Sequence, residues 1–293
     1  MAKLFRVVDF EITAITHYDS LNLKKYCKKI FVVKDYSLKT LEKIFLETDP
    51  YQKKSFLLGS GFAENHKRSK IFNNRKNYGN DFKVNCFVKN SEFFKTLKKN
   101  KILFPKLIKK NSLKQTLIKN LKSFGSQNVK KLENKNYNLK KNEYFQELID
   151  GKRISVQFIS KIRQLRIISV CDQVLKKKTF FIDYLITKRL SKKKQNQIYT
   201  LVKKIVKLFN LRGINNIDII DKKNKLYLIE INSRPGLSSN IIYKTNKSPF
   251  IQHKKNLQNN LLATKIIYSS KQITINKKII KFFKEYCNPN NFS

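Results

Sequence analysis

The chain has 293 residues, enough for one large domain or two to three small ones, and its 64 Lys and Arg against 20 Asp and Glu leave a formal net charge of +44. No apolar run approaches the roughly 18 residues a membrane helix needs, and the first thirty residues lack the pattern of a secretory signal, so a cytoplasmic protein without membrane partners is expected. Cys27, Cys86, Cys171 and Cys287 stand far apart with no paired spacing, which argues against a local zinc or thioredoxin-like motif and for reduced thiols.

In chain order, LFRVVDFEI (4–12), KKIFVV (28–33) and KSFLLGSG (54–61) have the β-favouring, apolar character of strands. Between the last two lies SLKTLEKIFLE (37–47). Its Leu38, Leu41, Ile44 and Phe45 fall on one helical face, with Ser37 placed as N-cap. A small α/β unit over residues 1–80 is therefore predicted, ending at Gly79 and Asn80.

The stretch that follows is rich in Lys and Asn. Helical spacing begins at SEFFKTLKKNKILFPKLI (91–108) and breaks at its proline, and short strands are expected around SFGSQN (123–128). From residue 144 the apolar content rises through YFQELIDGKRISVQFIS and LRIISV, both read as strands. A helix is predicted over about 192–210, capped by Ser191, with Ile198, Leu201, Val202, Ile205, Leu208 and Phe209 on one side and Gly213 beyond its end. The segment containing IIKFFKEY reads as a terminal helix.

The most informative segment is NNIDIIDKKNKLYLIEINSRPG (215–236), a strand, a polar turn near Asn224 and a second strand. Such a hairpin puts Asp218 opposite Glu230. Strict alternation puts Glu230 and Asn232 on one face, with Ile229 and Ile231 pointing into a core. Two carboxylates directly across a strand pair repel unless a cation or a shared proton lies between them. Oxygen donors in a half-built shell suit Mg²⁺ or Mn²⁺, the remaining positions going to water and phosphate, and Arg234 is within reach of that phosphate. A surface hairpin with a polar wet face is the alternative reading of the same spacing.

LRGINNIDII followed by YLIEINSRPG resembles the metal-binding end of the ATP-grasp superfamily, in which an acidic strand residue is followed twelve positions later by Glu-x-Asn-x-Arg. The resemblance implies an α/β (α+β) ATP-grasp fold with an N-terminal preface domain (1–80), a linker helix and lysine-rich lid (81–148), a C-terminal subdomain with the metal hairpin (149–268) and a terminal helix or tail (269–293). It also implies that Asp218, Glu230 and Asn232 hold Mg²⁺ or Mn²⁺, and that Arg234 contacts phosphate or acyl phosphate. Gln146, Glu147 and Leu148 in YFQELIDG match the hinge that holds adenine, partly through backbone groups. Lys122 in NLKSFGSQNV matches the lysine at the end of a strand just before the flexible phosphate loop, and Lys89 in CFVKNSEFF the earlier lysine that precedes a helix, which makes both expected nucleotide-binding residues.

Two features depart from the family pattern: a single glycine, Gly125, in the loop after Lys122, and Lys152 and Arg153 where relatives supply a carboxylate to the ribose. Within the superfamily, LLGSGFAEN, the Gly79-Asn80 pair and the RPG ending resemble the branch associated with tetrahydromethanopterin and methanofuran pathways, tyramine–glutamate ligases among them.

The resemblance implies an ATP-dependent carboxylate–amine (or thiol) ligase acting on small molecules through an acyl phosphate. A non-catalytic nucleotide- or metabolite-binding relative is the first alternative. A nucleic-acid-binding protein is the second, suggested by the charge. Only nine of the 64 basic residues are Arg and the Lys are scattered, so nonspecific polyanion binding at most is expected. The isolated His17, His66 and His253 make no catalytic or metal pattern.

Overall fold

The computed structural model describes residues 10–17, 21–59, 62–63, 69–88, 90–108, 115–121, 126, 128–133, 136–161, 164–239 and 263–265. The α/β class expected from the sequence is observed, with its β structure almost entirely antiparallel.

The first unit contains β1 (Thr13–Thr16), α1 (Leu21–Tyr26), β2 (Lys29–Val32) and α2 (Leu38–Thr48), with β1 and β2 paired in parallel. Ser37 caps α2 as its position predicts, its hydroxyl oxygen accepting from the Thr40 amide at 3.3 Å. Leu41 packs with Leu58, Phe62, Phe72 and Phe82 in a small aromatic core. Of the strand expected over 54–61, the described residues 54–59 form none. Phe56 makes one isolated bridge to Asn77, and Phe56 and Leu58 spend their apolar surface on the rings of this core instead. Of the strand expected at 4–12 only residues 10–12 are described, and they are not in a strand; β1 starts one residue later.

Next come α3 (Phe82–Phe87) and α4 (Glu92–Lys99). The helical spacing read from residue 91 up to the break at Pro105 ends at Lys99, since Asn100 caps the helix and Lys101 turns into the left-handed region at φ 53°. Three strands, β3 (Thr116–Asn120), β4 (Lys130–Lys131) and β5 (Glu143–Glu147), form a small sheet in the order β4-β3-β5.

The large sheet is built from β6 (Lys152–Lys161), β7 (Gln164–Leu175), β8 (Ile182–Thr187), β9 (Gly213–Lys222), β10 (Lys225–Asn232) and β11 (Ala263–Lys265), in the order β10-β9-β6-β7-β8-β11. One face is covered by α5 (Lys192–Phe209), whose Ile198, Val202, Ile205 and Phe209 meet Ile154, Val156, Phe158, Ile217, Ile219 and Ile231. Residues of α4 join this same core through Phe93, Phe94 and Leu97. The Ser191 cap is present, with Lys194 N donating to its hydroxyl. The helix ends on Asn210, which takes the left-handed conformation (φ 49°) that Gly or Asn adopts at small cost, three residues before Gly213. The terminal helix expected around IIKFFKEY lies outside the described residues.

The face of the large sheet opposite α5 and the small sheet line a common cleft that is open to solvent. That arrangement positions the site.

Candidate functional site

The hairpin joining β9 to β10 turns through Lys223 (φ 47°) and Asn224 (φ 62°). Two consecutive left-handed residues match the twist of antiparallel strands. From the turn, Lys225 pairs with Lys222 and Leu228 with Ile219. The register then shifts by one residue at a β-bulge, so that Glu230 lies opposite Asp218 and Asn232 opposite Asn216. A bulge lets two successive side chains share one face. Leu228 and Ile231 accordingly enter the main core, while Ile229 and Glu230 both line the cleft. The expectation that Ile229 points into the core with Ile231 is thus corrected. A regular ladder in this register would have sent Glu230 toward α5.

The Asp218 carboxylate is held from three sides. Its Oδ1 accepts from Gln173 Nε2 at 2.7 Å and Asn216 Nδ2 at 3.1 Å, and its Oδ2 accepts from Asn232 Nδ2 at 3.3 Å. Asn232 Nδ2 also donates to Glu230 Oε1 at 3.0 Å, bridging the two acids. Withdrawal from water, followed by the neighbouring Glu230, pushes the Asp218 carboxyl up to about 7. The pair has the electrostatics of a site that takes up a cation or a proton. Among the described residues no three His, Cys, Asp or Glu side chains cluster, and the two carboxylates face each other with the Asn232 nitrogen between them.

Arg234 is buried and partnered, its guanidinium donating to Asn232 Oδ1 and to the Pro235 carbonyl, each at 3.1 Å. Gly236 is required by close approach: a Cβ there would stand 2.7 Å from Asn216 Cγ. Ser238 donates to Gln157 Oε1, and Gln157 Nε2 donates to the Ser239 hydroxyl at 3.0 Å, so the segment after Arg234 is fastened to the sheet.

Across the cleft, the hinge residues Gln146, Glu147 and Leu148 lie at the end of β5. Gln146 is buried and its side chain donates to the Pro105 carbonyl at 3.2 Å. The Glu147 and Leu148 amides are already donated, to the Lys106 and Gln115 carbonyls at 2.8 and 2.9 Å. All three residues line the cleft, together with Ile149.

Lys89 and Lys122 lie outside the described residues. The lysine that the described strands bring into the cleft is Lys119, on β3 opposite Tyr144 and 9% exposed. Burial lowers its pKa, while Glu230 and, to a smaller extent, Asp218 favour its charged form and Arg153 opposes it. Lys119 was not singled out from the sequence. The available signal was a lysine on the inward side of the apolar strand TLIKN, where Leu117 and Ile118 are also buried. Arg153, noted only as a departure from the family, also lines the cleft, with its guanidinium 5.4 Å from the Phe180 ring.

The family model for the ATP-grasp domain matches residues 89–238, a span containing every residue named above for the cleft. No curated protein sequence matches the chain. Among solved structures, the chain is similar to N5-carboxyaminoimidazole ribonucleotide synthetase from Thermotoga maritima (TM-score 0.64, 15% identity, 85% of this chain and 70% of that one). The L-amino acid ligase from Bacillus licheniformis gives 0.63 and 15%, covering 83% and 66%. The biotin carboxylase domain of Hydrogenobacter thermophilus 2-oxoglutarate carboxylase, solved in complex with MgADP, ADP and bicarbonate, gives 0.68 and 14%, covering 89% and 71%. The chain therefore spans about two thirds of the length of these proteins, and at such identities the likeness is one of fold.

Proposed function

The chain belongs to the ATP-grasp family, and from that membership we propose that it is an ATP-dependent carboxylate–amine ligase. The observation that carries this reading is the facing Asp218–Glu230 pair, bridged by Asn232 and adjoined by Arg234, at the floor of a cleft between two sheets. Residues 1–80 would be a preface domain, 81–148 a linker and lid, and 149–268 the subdomain carrying the hairpin, followed by a tail. The branch associated with tetrahydromethanopterin and methanofuran pathways, and tyramine–glutamate ligation within it, is the first place to look for the acid and the amine.

In the proposed reaction a substrate carboxylate oxygen attacks the γ-phosphorus of ATP and ADP leaves. The amine nitrogen then attacks the acyl carbon, and phosphate leaves. Asp218 and Glu230, with Asn232, would hold Mg²⁺ (or Mn²⁺), whose chemistry there would be to neutralise phosphate charge. Gln173 and Asn216 fix the Asp218 carboxylate in place for that role. For Asn232 to present oxygen to a cation its amide must turn over, since the nitrogen now faces both acids. Arg234, which keeps its bond to the Pro235 carbonyl, would be the phosphate contact on this side of the cleft. Lys119, buried in the cleft, would be a further phosphate contact in addition to Arg234 and to the lysines that the resemblance assigns to the nucleotide, Lys89 and Lys122. Positioning and electrostatics of this kind are what phosphoryl transfer requires. The purine would lie against Gln146, Glu147 and Leu148. Because the Glu147 and Leu148 amides are already engaged, carbonyls and side chains of the hinge are the groups left to recognise it.

A ligand that binds only the folded state raises the melting temperature. Millimolar MgATP is expected to do so and ATP with chelator is not, and release of phosphate should need both an acid and an amine. Binding without turnover across a panel of acids and amines would make the chain a non-catalytic nucleotide binder. A folded sample with no MgATP shift would remove the reading.

A further inference from the structure

Two segments far from it in sequence, residues 80–85 and 212–215, meet around Ser233, the residue between Asn232 and Arg234. The Asn80 side chain donates to the Ser233 carbonyl at 2.8 Å and to Asn215 Oδ1 at 2.6 Å, and its own oxygen accepts from the Arg212 amide at 2.7 Å. Asn85, on α3, accepts from the Ser233 hydroxyl at 2.6 Å. Asn215 in turn donates to the carbonyls of Arg212 and Gly213 at 3.1 and 3.0 Å. Asn80, Asn85 and Ser233 are 2%, 1% and 5% exposed, so water offers no substitute partners and each of these bonds is costly to lose.

The approach is as close as backbone allows. A Cβ on Gly213, whose φ is +70°, would stand 2.2 Å from the Tyr78 carbonyl oxygen and 3.1 Å from the Gly79 Cα. Helix α3 belongs to both halves of the molecule: Phe82 enters the aromatic core of the first unit, while Val84 and Phe87 pack against the main core. The 78–85 segment therefore ties the first unit to the exit of β10.

We infer that Asn80 is a positioning residue, which by gripping the Ser233 backbone sets where Asn232 and Arg234 point. The significance of those two side chains rests on the function proposed above. The grip itself rests on the geometry alone. The rest of the segment is held by Gly236 against Asn216 and by Ser238 and Ser239 against Gln157, so Arg234 sits between two anchored points. Displacements of about an ångström at such a point are enough to cost a site its reactivity.

The test is amide hydrogen exchange on the full chain, with MgATP affinity measured in parallel, for wild type, Asn80→Ala and Leu41→Ala. Leu41 is buried in the aromatic core away from the junction, so its truncation controls for loosening of the first unit. Asn80→Ala is expected to speed exchange over residues 230–239 about tenfold and to weaken MgATP binding by a similar factor, with α5 unchanged. Leu41→Ala at a comparable melting temperature should leave 230–239 within about twofold of wild type. Equal effects of the two variants on 230–239, or no local effect of Asn80→Ala, would overturn the inference. Should Asn80→Ala not fold, Asn85→Ala removes the Ser233 hydroxyl's partner and is judged by the same comparison. A local effect in a protein whose wild type ignores MgATP would sink the ligase reading and leave the grip standing.

Discussion

Asp218 is the side chain whose protonation reports on the site. An unfolded Asp titrates near the usual carboxylate value, whereas burial and Glu230 raise the folded group to about 7. Between those values the folded chain binds the proton more tightly than the unfolded one, so metal-free stability is highest at low pH and falls as pH climbs toward 7, then levels off. Roughly three pH units at about 1.4 kcal/mol each put the loss at a few kcal/mol. Asp218→Asn removes the titration. In chelator its denaturant midpoint is expected to change less than that of wild type between pH 5 and 8, and to be the higher of the two at pH 8. With Mg²⁺ and ATP at pH 8 the order should invert, because only wild type then gains a ligand-bound state. Parallel curves for the two proteins under both conditions would mean that Asp218 is an ordinary surface acid.

At the scale of the hairpin, the residue types were legible and their geometry was only half so. Alternation alone pairs Ile229 with Ile231, yet Leu226, Leu228 and Ile231 are the β10 residues that pack on the main core, and such a set needs one extra residue between 228 and 231. The bulge is a property of the register against Ile219 and Asp218, which becomes visible only once the two strands are paired. Truncating Ile231, 1% exposed, is expected to cost about 2–4 kcal/mol, whereas Ile229→Ala, on the cleft side, should cost less than about 1.5 kcal/mol. Urea melts of the two variants decide it, since a regular ladder would make the two losses alike.

Similar logic explains why Lys119 escaped notice. With 55 lysines in the chain, one more inside TLIKN has no contrast until burial separates it from the rest. Long strands such as 152–161, and α5 with its four-residue apolar rhythm, were legible because their period is internal to the segment. The 54–61 segment was misread because its apolar residues serve a core that borrows rings from 72 and 82, a non-local fact.

For the molecule as a whole, the charge and the cleft are separate devices. The outer face of α5 exposes Lys192, Lys193, Lys203, Lys204 and Lys207, while its inner face is the apolar stripe of the core, so these lysines contribute field and no packing. A net charge of +44 spread in this way attracts any polyanion and releases counterions on contact. The cleft works differently. Lys119 and Arg234 are buried beside Asp218 and Glu230, so the attraction a nucleotide phosphate meets there is short-range and poorly screened. Duplex DNA of any sequence is therefore expected to bind at low salt without Mg²⁺, and to lose on the order of 10³-fold or more in affinity between about 50 and 200 mM salt. Over the same range the MgATP-induced rise in melting temperature should persist. Replacing Lys203, Lys204 and Lys207 by Gln should lower DNA affinity in a graded way and leave the nucleotide response intact. If those three changes abolished a tight, sequence-selective complex, or if DNA and MgATP displaced each other at high salt, the charge would belong to a dedicated nucleic-acid site and the two devices would be one.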